Sequence, residues 1–159
     1  LEALLLLAVG TQIISGIRLI RSKRKTASDN YQRLQQWSGL YLAFFFLFHL
    51  TAILSGRYLL QLDTNFYFGA AGLNTFPLYF FFVPYYGLAI LSFFAHLASL
   101  HYQKQKNPIW EFSVRQQTQF ILFIGLALTF LTFYGLTNGF SGHEIPAAYD
   151  LMSGEVLLE

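Results

Sequence analysis

Four long runs of apolar residues, separated by shorter polar segments, dominate the pattern of the chain. A helix needs about 20 apolar residues to cross the roughly 30 Å of hydrocarbon in a bilayer. The four runs have about that length and cover residues 3–20, 37–55, 78–100 and 120–137. They predict an all-α fold: an integral membrane helical bundle with four transmembrane helices, forming a single transmembrane domain over residues 1–159.

The composition agrees with this pattern and excludes several classes of protein. Of the 159 residues, 55% are hydrophobic and 11% are charged, whereas a soluble domain carries about 25% charged residues. The chain therefore lacks the polar surface that a soluble domain needs, and the lipid bilayer is its expected surrounding. It contains no Cys, which excludes disulfides and Cys-ligated zinc or iron–sulfur sites. The few basic residues give no nucleic-acid-binding surface, so we expect no nucleic-acid partner.

The basic residues predict how the chain is oriented. They cluster at or after the end of the first apolar run and between the third and fourth, at Arg18, Arg21, Lys23, Arg24, Lys25 and Arg33 and at Lys104, Lys106 and Arg115. Basic loops stay on the cytoplasmic side of a membrane. We therefore expect a multi-pass protein of the cell inner (cytoplasmic) membrane with its C-terminus outside. The tail suits that side because its charges are all acidic: Glu144, Asp150, Glu155 and Glu159.

Two further expectations concern the connections. The segment from Gly56 to Pro77 is predicted to be an outer loop that packs as a cap over the helix ends. The chain opens at Leu1, inside an apolar run. We expect residues upstream of Leu1, which would hold a fifth transmembrane helix if the bundle has five.

Two histidines lie inside apolar runs and are the candidate metal ligands. His49 follows a Phe-rich stretch in the second run, and His96 follows Phe94-Ala95 in the third. An imidazole in hydrocarbon is unfavourable unless it has a partner, so it indicates a functional site. Haem b fits this setting, because its iron takes axial imidazole ligands and its attachment needs no Cys. The alternative is that each histidine forms a hydrogen bond to a neighbouring helix.

The depths of the two histidines predict separate sites. His49 lies a few residues outward of the middle of its run, and His96 lies about seven residues inward of the middle of its own. At about 1.5 Å per residue the offset is roughly 15 Å, too large for two ligands of one iron. His101 and His143 lie outside the runs, and we expect neither to bind haem.

Three short motifs resemble the membrane cytochrome b subunits of succinate dehydrogenase and fumarate reductase. The second run begins Gln35-Gln36-Trp37-Ser38-Gly39, with His49 ten residues after the glycine. The first ends Gly16-Ile17-Arg18, with Gln12 where that family has a haem-ligating histidine. The third ends with His96 and a polar turn. The family often has His-Arg before the Ser-Gly pair, where this chain has Gln35-Gln36.

The resemblance implies that the four runs are the last four of five helices around two haems. His49 would bind the outer haem together with a histidine from outside this chain. His96 would bind the inner haem, with Gln12 at the partner position and Arg18 near a propionate. Ser38 and Gly39, which open the helix that carries His49, would also be cofactor-binding residues. The alternative role of Arg18 is a positively charged anchor at the cytoplasmic face.

The resemblance also implies a function. Such a subunit binds haem b, reacts with a quinone and passes electrons between the quinone pool and a peripheral flavoprotein/iron–sulfur dehydrogenase or reductase. It is the non-catalytic or quinone-reactive membrane part of a hetero-oligomer whose peripheral subunits lie on the cytoplasmic side. The alternative is a haem-free accessory or assembly subunit. A small transporter is disfavoured, because no run contains an acidic residue and Glu2 lies just before the first run.

Small residues at the end of the first run give one more expectation. Gly16, with Gly10 and Ser15 nearby, predicts a close contact between two helices, since small side chains let membrane helices approach.

Overall fold

The computed structural model describes residues 2–23 and 29–152 of the chain. Its regular structure is helical, in the order α1 Glu2–Lys23, α2 Asn30–Tyr58, α3 Phe66–Asn74, α4 Tyr79–Lys104 and α5 Val114–Leu136, with a 3₁₀ helix at Ala147–Met152. Some residues used in the sequence analysis lie outside the described ranges: Leu1, Arg24, Lys25, Glu155 and Glu159.

The helices α1, α2, α4 and α5 are long and apolar enough to cross a membrane. The predicted all-α membrane bundle with four transmembrane helices is therefore confirmed. The helices also extend into polar sequence beyond the apolar runs, because backbone hydrogen bonding propagates past the hydrocarbon boundary. At the start of α5, Ser113 and Gln116 form a capping box. The Ser113 backbone N–H donates to Gln116 Oε1 at 2.9 Å, and the Gln116 N–H donates to Ser113 Oγ at 3.4 Å.

The segment 56–77, predicted as an outer loop that packs as a cap over the helix ends, contains a short helix that the sequence did not predict. The helix α2 continues to Tyr58, and the segment then forms α3. Asn65 starts this short helix, since its side chain accepts a hydrogen bond from the Tyr67 N–H at 2.9 Å. The Ala70–Leu73 part of α3 is buried. The sequence pattern did not predict α3, because a segment of nine residues with two glycines has a weak helical propensity.

Large apolar side chains are exposed and small side chains are buried, as in membrane helices that face lipid. Phe123 on α5 is 64% exposed and Leu7 on α1 is 66% exposed. Ala98, Ser99 and Thr118 are fully buried. This distribution is the reverse of that in a soluble protein, and it is compatible with a lipid bilayer around the helices.

The chain divides into two compact units. The first comprises Leu1–Phe46 and Ala89–Leu126. In it Phe94 packs tightly over Gly125, where an added Cβ would lie 2.5 Å from the Phe94 Cβ. The contact therefore needs glycine at position 125.

The second unit comprises Leu47–Leu88 and Ala127–Glu159. In it the Phe82 ring covers Gly72 of α3, at 2.2 Å from where a Cβ would be. Asn74 at the end of α3 donates hydrogen bonds to the Ala70 and Leu136 carbonyls at 2.8 and 2.9 Å. These contacts hold α3 against α4 and the end of α5.

The expected close contact at Gly16 is not found among the described residues. An added Cβ at Gly16 or Gly10 would meet no atom of the described residues within 4 Å. The physical reason is that α1 turns this side towards its surroundings and not towards another described helix. Small residues permit a close approach between helices but do not enforce one.

Candidate functional site

The site is built around the His96 ring in the first unit. His96 Nδ1 lies 3.1 Å from the backbone carbonyl oxygen of Gln35, near the start of α2. Ser38 Oγ is 3.3 Å from the same nitrogen. A carbonyl oxygen can only accept a hydrogen bond, so Nδ1 carries the proton and donates it to Gln35. The tautomer of a neutral His96 follows: Nε2 holds the lone pair.

The Ser-Gly motif forms the surface on which the ring lies. Ser38 is 4% exposed, and its hydroxyl donates to the Gln35 carbonyl at 3.2 Å. An added Cβ at Gly39 would lie 3.1 Å from His96 Cε1, closer than ordinary van der Waals contact. Glycine at position 39 therefore lets the imidazole approach α2. The structure thus brings together three of the predicted site residues: His96, Ser38 and Gly39.

The second ring nitrogen of His96 has no protein partner among the described residues. Every fully buried side-chain nitrogen or oxygen in those residues does have one, and His96 itself is only half-buried. Its Nε2 therefore lies at the surface of the described chain. Ligand histidines commonly donate the other ring N–H to a carbonyl, which orients the ring and raises its basicity. His96 has this arrangement.

Polar and aromatic contacts hold α2 and α4 in register beside His96. The Gln103 side-chain amide donates to Gln35 Oε1 at 2.9 Å and to the Ser99 carbonyl at 3.1 Å. The rings of Tyr31 and Tyr102 stack with centroids 3.9 Å apart. Sequence reasoning missed Gln103. The available signal was its position seven residues after His96, on the same face of a helix.

His49 lies in the second unit. Its ring is half-buried and stands edge-on to Tyr86, with centroids 6.0 Å apart. Tyr86 was also missed by sequence reasoning, although a polar aromatic ring inside an apolar run was a usable signal. The contact places an aromatic ring of α4 beside His49, a setting suited to a flat cofactor or to interhelical packing.

The two predicted site residues of α1 are exposed. Gln12 forms no side-chain hydrogen bond to His96 within the described ranges, and the expected pairing of the two across a haem stays a prediction. Arg18 belongs to one face of α1, where an open groove is lined by Thr11, Ile14, Ser15, Arg18 and Leu19.

His101 and His143 differ from His96 because their Nε2 atoms have protein partners. Gln117 donates its amide to the Phe112 carbonyl at 2.8 Å, so its Oε1 accepts from His101 Nε2 at 3.0 Å. This hydrogen bond joins the end of α4 to the start of α5. His143 Nε2 lies 3.4 Å from the Gly135 carbonyl.

No group of three or more His, Asp or Glu side chains able to hold a metal ion occurs in the described ranges. A haem iron takes only axial ligands from the protein, so this finding does not bear on haem. Comparison of the chain with protein-family models, with curated proteins and with solved structures found no match.

Proposed function

We propose that this chain is a haem b-binding membrane subunit that passes electrons between a quinone pool and a peripheral flavoprotein/iron–sulfur dehydrogenase or reductase. The single observation that carries the proposal is the His96 ring. Its Nδ1 donates to the Gln35 carbonyl at 3.1 Å, and its Nε2 has no partner in the described chain. An imidazole prepared in this way is a good axial ligand.

The residues around His96 fit the axial-ligand role. The Gln35 carbonyl sets the tautomer of the ring, Gln35 and Ser38 together set its rotation, and Gly39 gives it room. A bound haem b would supply one-electron transfer. His49 serves a second site, completed by a histidine from outside this chain. The resemblance adds two residues: Gln12 would be the second residue that holds the haem bound by His96, and Arg18 would contact a haem propionate, because a guanidinium suits a bidentate carboxylate contact.

The wider assignment rests on the charge distribution and the resemblance. The chain is a multi-pass membrane protein. We infer that it belongs to the cell inner (cytoplasmic) membrane, with the segments around Arg21 and Lys104 in the cytoplasm and Glu144 outside. Its peripheral partners bind on the cytoplasmic side, and it contributes the quinone-reactive or non-catalytic membrane part of the complex.

One observation favours a second candidate, a haem-free accessory or assembly subunit. The hydrogen bonds from His96 to Gln35 and Ser38 run between two helices. Such bonds satisfy a polar ring in a membrane and contribute about 0.6–2 kcal/mol each. In a haem-free subunit, His96 would hold α4 against α2 and would not bind a haem iron.

Absorption spectra of the purified full chain, expressed with haem supplied, separate the two candidates. We expect a reduced haem b band that His96→Ala diminishes and that added imidazole restores. His101→Ala is the matched control on the same helix: its Nε2 already has Gln117 as a partner, so the band should remain. Circular dichroism checks that both variants fold.

The His49→Ala variant tests whether the two sites are separate. It should remove a different part of the haem signal from the part that His96→Ala removes. Loss of one and the same low-spin haem in both variants would show that the histidines share an iron. If the unmodified chain shows no haem band at all, the cytochrome function is wrong and the accessory function replaces it.

A further inference from the structure

The connection between α4 and α5 carries a tight turn with an apolar tip. Ile109 and Phe112 exchange backbone hydrogen bonds: the Ile109 N–H donates to the Phe112 carbonyl at 3.2 Å, and the Phe112 N–H donates to the Ile109 carbonyl at 3.1 Å. Trp110 and Glu111 are the two central residues. We call residues 109–112 the apolar turn.

The backbone conformation at the tip of the apolar turn is unfavourable for tryptophan, the residue found there. Trp110 has φ +52°. A positive φ at the first central residue alone is the pattern of a type II′ turn, in which glycine is the usual choice there. A bulky aromatic residue with a positive φ is rare and strained. Such strain at a bulky residue points to a role for its side chain.

The side chains of the apolar turn are turned outward. Trp110 is 90% exposed, Phe112 is 55% exposed and Ile109 is 48% exposed. The apolar turn therefore exposes three apolar side chains, with an indole at its tip. An indole combines a large apolar surface with one N–H donor, and tryptophan is enriched where membrane and water meet.

The helix lengths locate the apolar turn relative to a bilayer. α5 begins at Val114 and has 23 residues, which gives it a length of about 35 Å. It therefore exceeds the roughly 30 Å hydrocarbon layer by only a few ångströms. Trp110 is four residues before α5, and four residues reach at most about 14 Å. The turn thus stays within reach of the lipid headgroups.

The charges beside the apolar turn select the kind of lipid. Lys104 and Lys106 precede it and Arg115 follows it, while Glu111 is the only acidic residue between positions 104 and 115. Clusters of Lys and Arg next to a membrane helix attract anionic headgroups. A basic surround with an apolar tip complements an anionic membrane surface in both charge and polarity.

We propose that the apolar turn is a membrane-surface anchor that inserts the Trp110 indole, with Ile109 and Phe112, among the headgroups of anionic lipids. The function of this surface does not depend on haem. It holds the α4–α5 connection against the bilayer, so that the adjoining helix ends keep a defined depth.

Tryptophan fluorescence of the full chain in vesicles tests the anchor. The chain has two Trp residues, so Trp37→Phe leaves Trp110 as the only indole, and Trp37→Tyr serves the same purpose if Trp37→Phe does not fold. The vesicles contain phosphatidylcholine alone or with phosphatidylglycerol, and the lipids are brominated near the headgroup end of the acyl chain. We expect strong quenching by the brominated lipids and a several-fold loss of quenching by aqueous acrylamide, relative to a free tryptophan analogue.

The charge preference is tested with the double variant Lys104→Gln/Lys106→Gln. Lipid quenching should be stronger in the vesicles with phosphatidylglycerol, and the double variant should lose that difference. Equal lipid quenching in both vesicle types would refute the anionic preference. Full access of acrylamide to Trp110 without lipid quenching would overturn the anchor, and the exposed tip would then be a docking point for a protein.

Discussion

Asn74 joins three parts of the second unit through a single side chain. Its amide donates to the Ala70 carbonyl within α3 at 2.8 Å and to the Leu136 carbonyl at the end of α5 at 2.9 Å. Its oxygen accepts from the His143 N–H at 2.9 Å. The orientation of the amide is unambiguous, because carbonyls only accept and a backbone N–H only donates. We therefore expect Asn74→Asp to be strongly destabilising.

The size of the effect follows from these bonds. An aspartate has nearly the same shape but has no donor when ionised, so both donated bonds are lost while the one from His143 remains. Two carbonyl oxygens would then face a carboxylate. Each lost bond that leaves an unsatisfied partly buried group costs about 1–3 kcal/mol. We expect a loss of about 2–4 kcal/mol, since Asn74 is only half-buried.

Thermal or chemical unfolding in detergent measures this loss, and limited proteolysis of residues 138–146 reports whether the tail detaches from α3. Asn107→Asp is the matched control, because it makes the same change of charge at an exposed residue of the α4–α5 connection. If the two variants unfold alike and show the same cleavage, the assignment of Asn74 as the link between α3, α5 and the tail is wrong.

Two further predictions follow. Gly125→Ala should lower the free energy of unfolding by about 1–3 kcal/mol, because its Cβ would lie 2.5 Å from the Phe94 Cβ. Gly16→Ala is the control: no described atom lies within 4 Å of its Cβ, so it should be neutral or stabilising by up to about 1 kcal/mol. Equal losses in unfolding measurements would contradict this packing. The proposed orientation predicts that an impermeant thiol reagent added to intact cells labels Glu144→Cys at once and labels Lys104→Cys only after permeabilisation; the reverse order would invert the topology.

The hydrogen bonds of His96 serve both proposed functions, and for that reason the spectra are decisive. The bond to Gln35 stabilises the helix pair whether or not a haem is bound. What distinguishes the functions is the use of Nε2. An accessory subunit leaves this atom to lipid or solvent, whereas a cytochrome uses it as an iron ligand.

The four membrane helices were predictable from the sequence because the bilayer acts on each segment by itself. A run of apolar residues long enough to cross the hydrocarbon must form a helix to satisfy its backbone. The short helix α3 was not predictable in this way. Its stability comes from its Asn65 cap, from Phe82 of α4 over Gly72 and from the bond of Asn74 to Leu136 of α5, and the last two contacts depend on other elements.

The candidate site was only half predictable. His96 stood out because a histidine in an apolar run is rare, and Ser38 and Gly39 stood out through the resemblance. The contact between them could not be predicted from the sequence, because His96 and Ser38 are 58 positions apart. The expected contact at Gly16 is not found among the described residues for the same reason: a small residue reveals that an approach is permitted but not which face a neighbour occupies.

The sequence by itself thus determined which segments enter the membrane, since length and apolarity are properties of each segment alone. Only the tertiary structure decided which polar groups meet. Successive residues point about 100° apart around a helix, so a small rotation of one helix exchanges its contacts. That rotation is set by the packing of all neighbours together. It placed His96 against Ser38 and Gly39 and left Gly16 without a described neighbour within 4 Å.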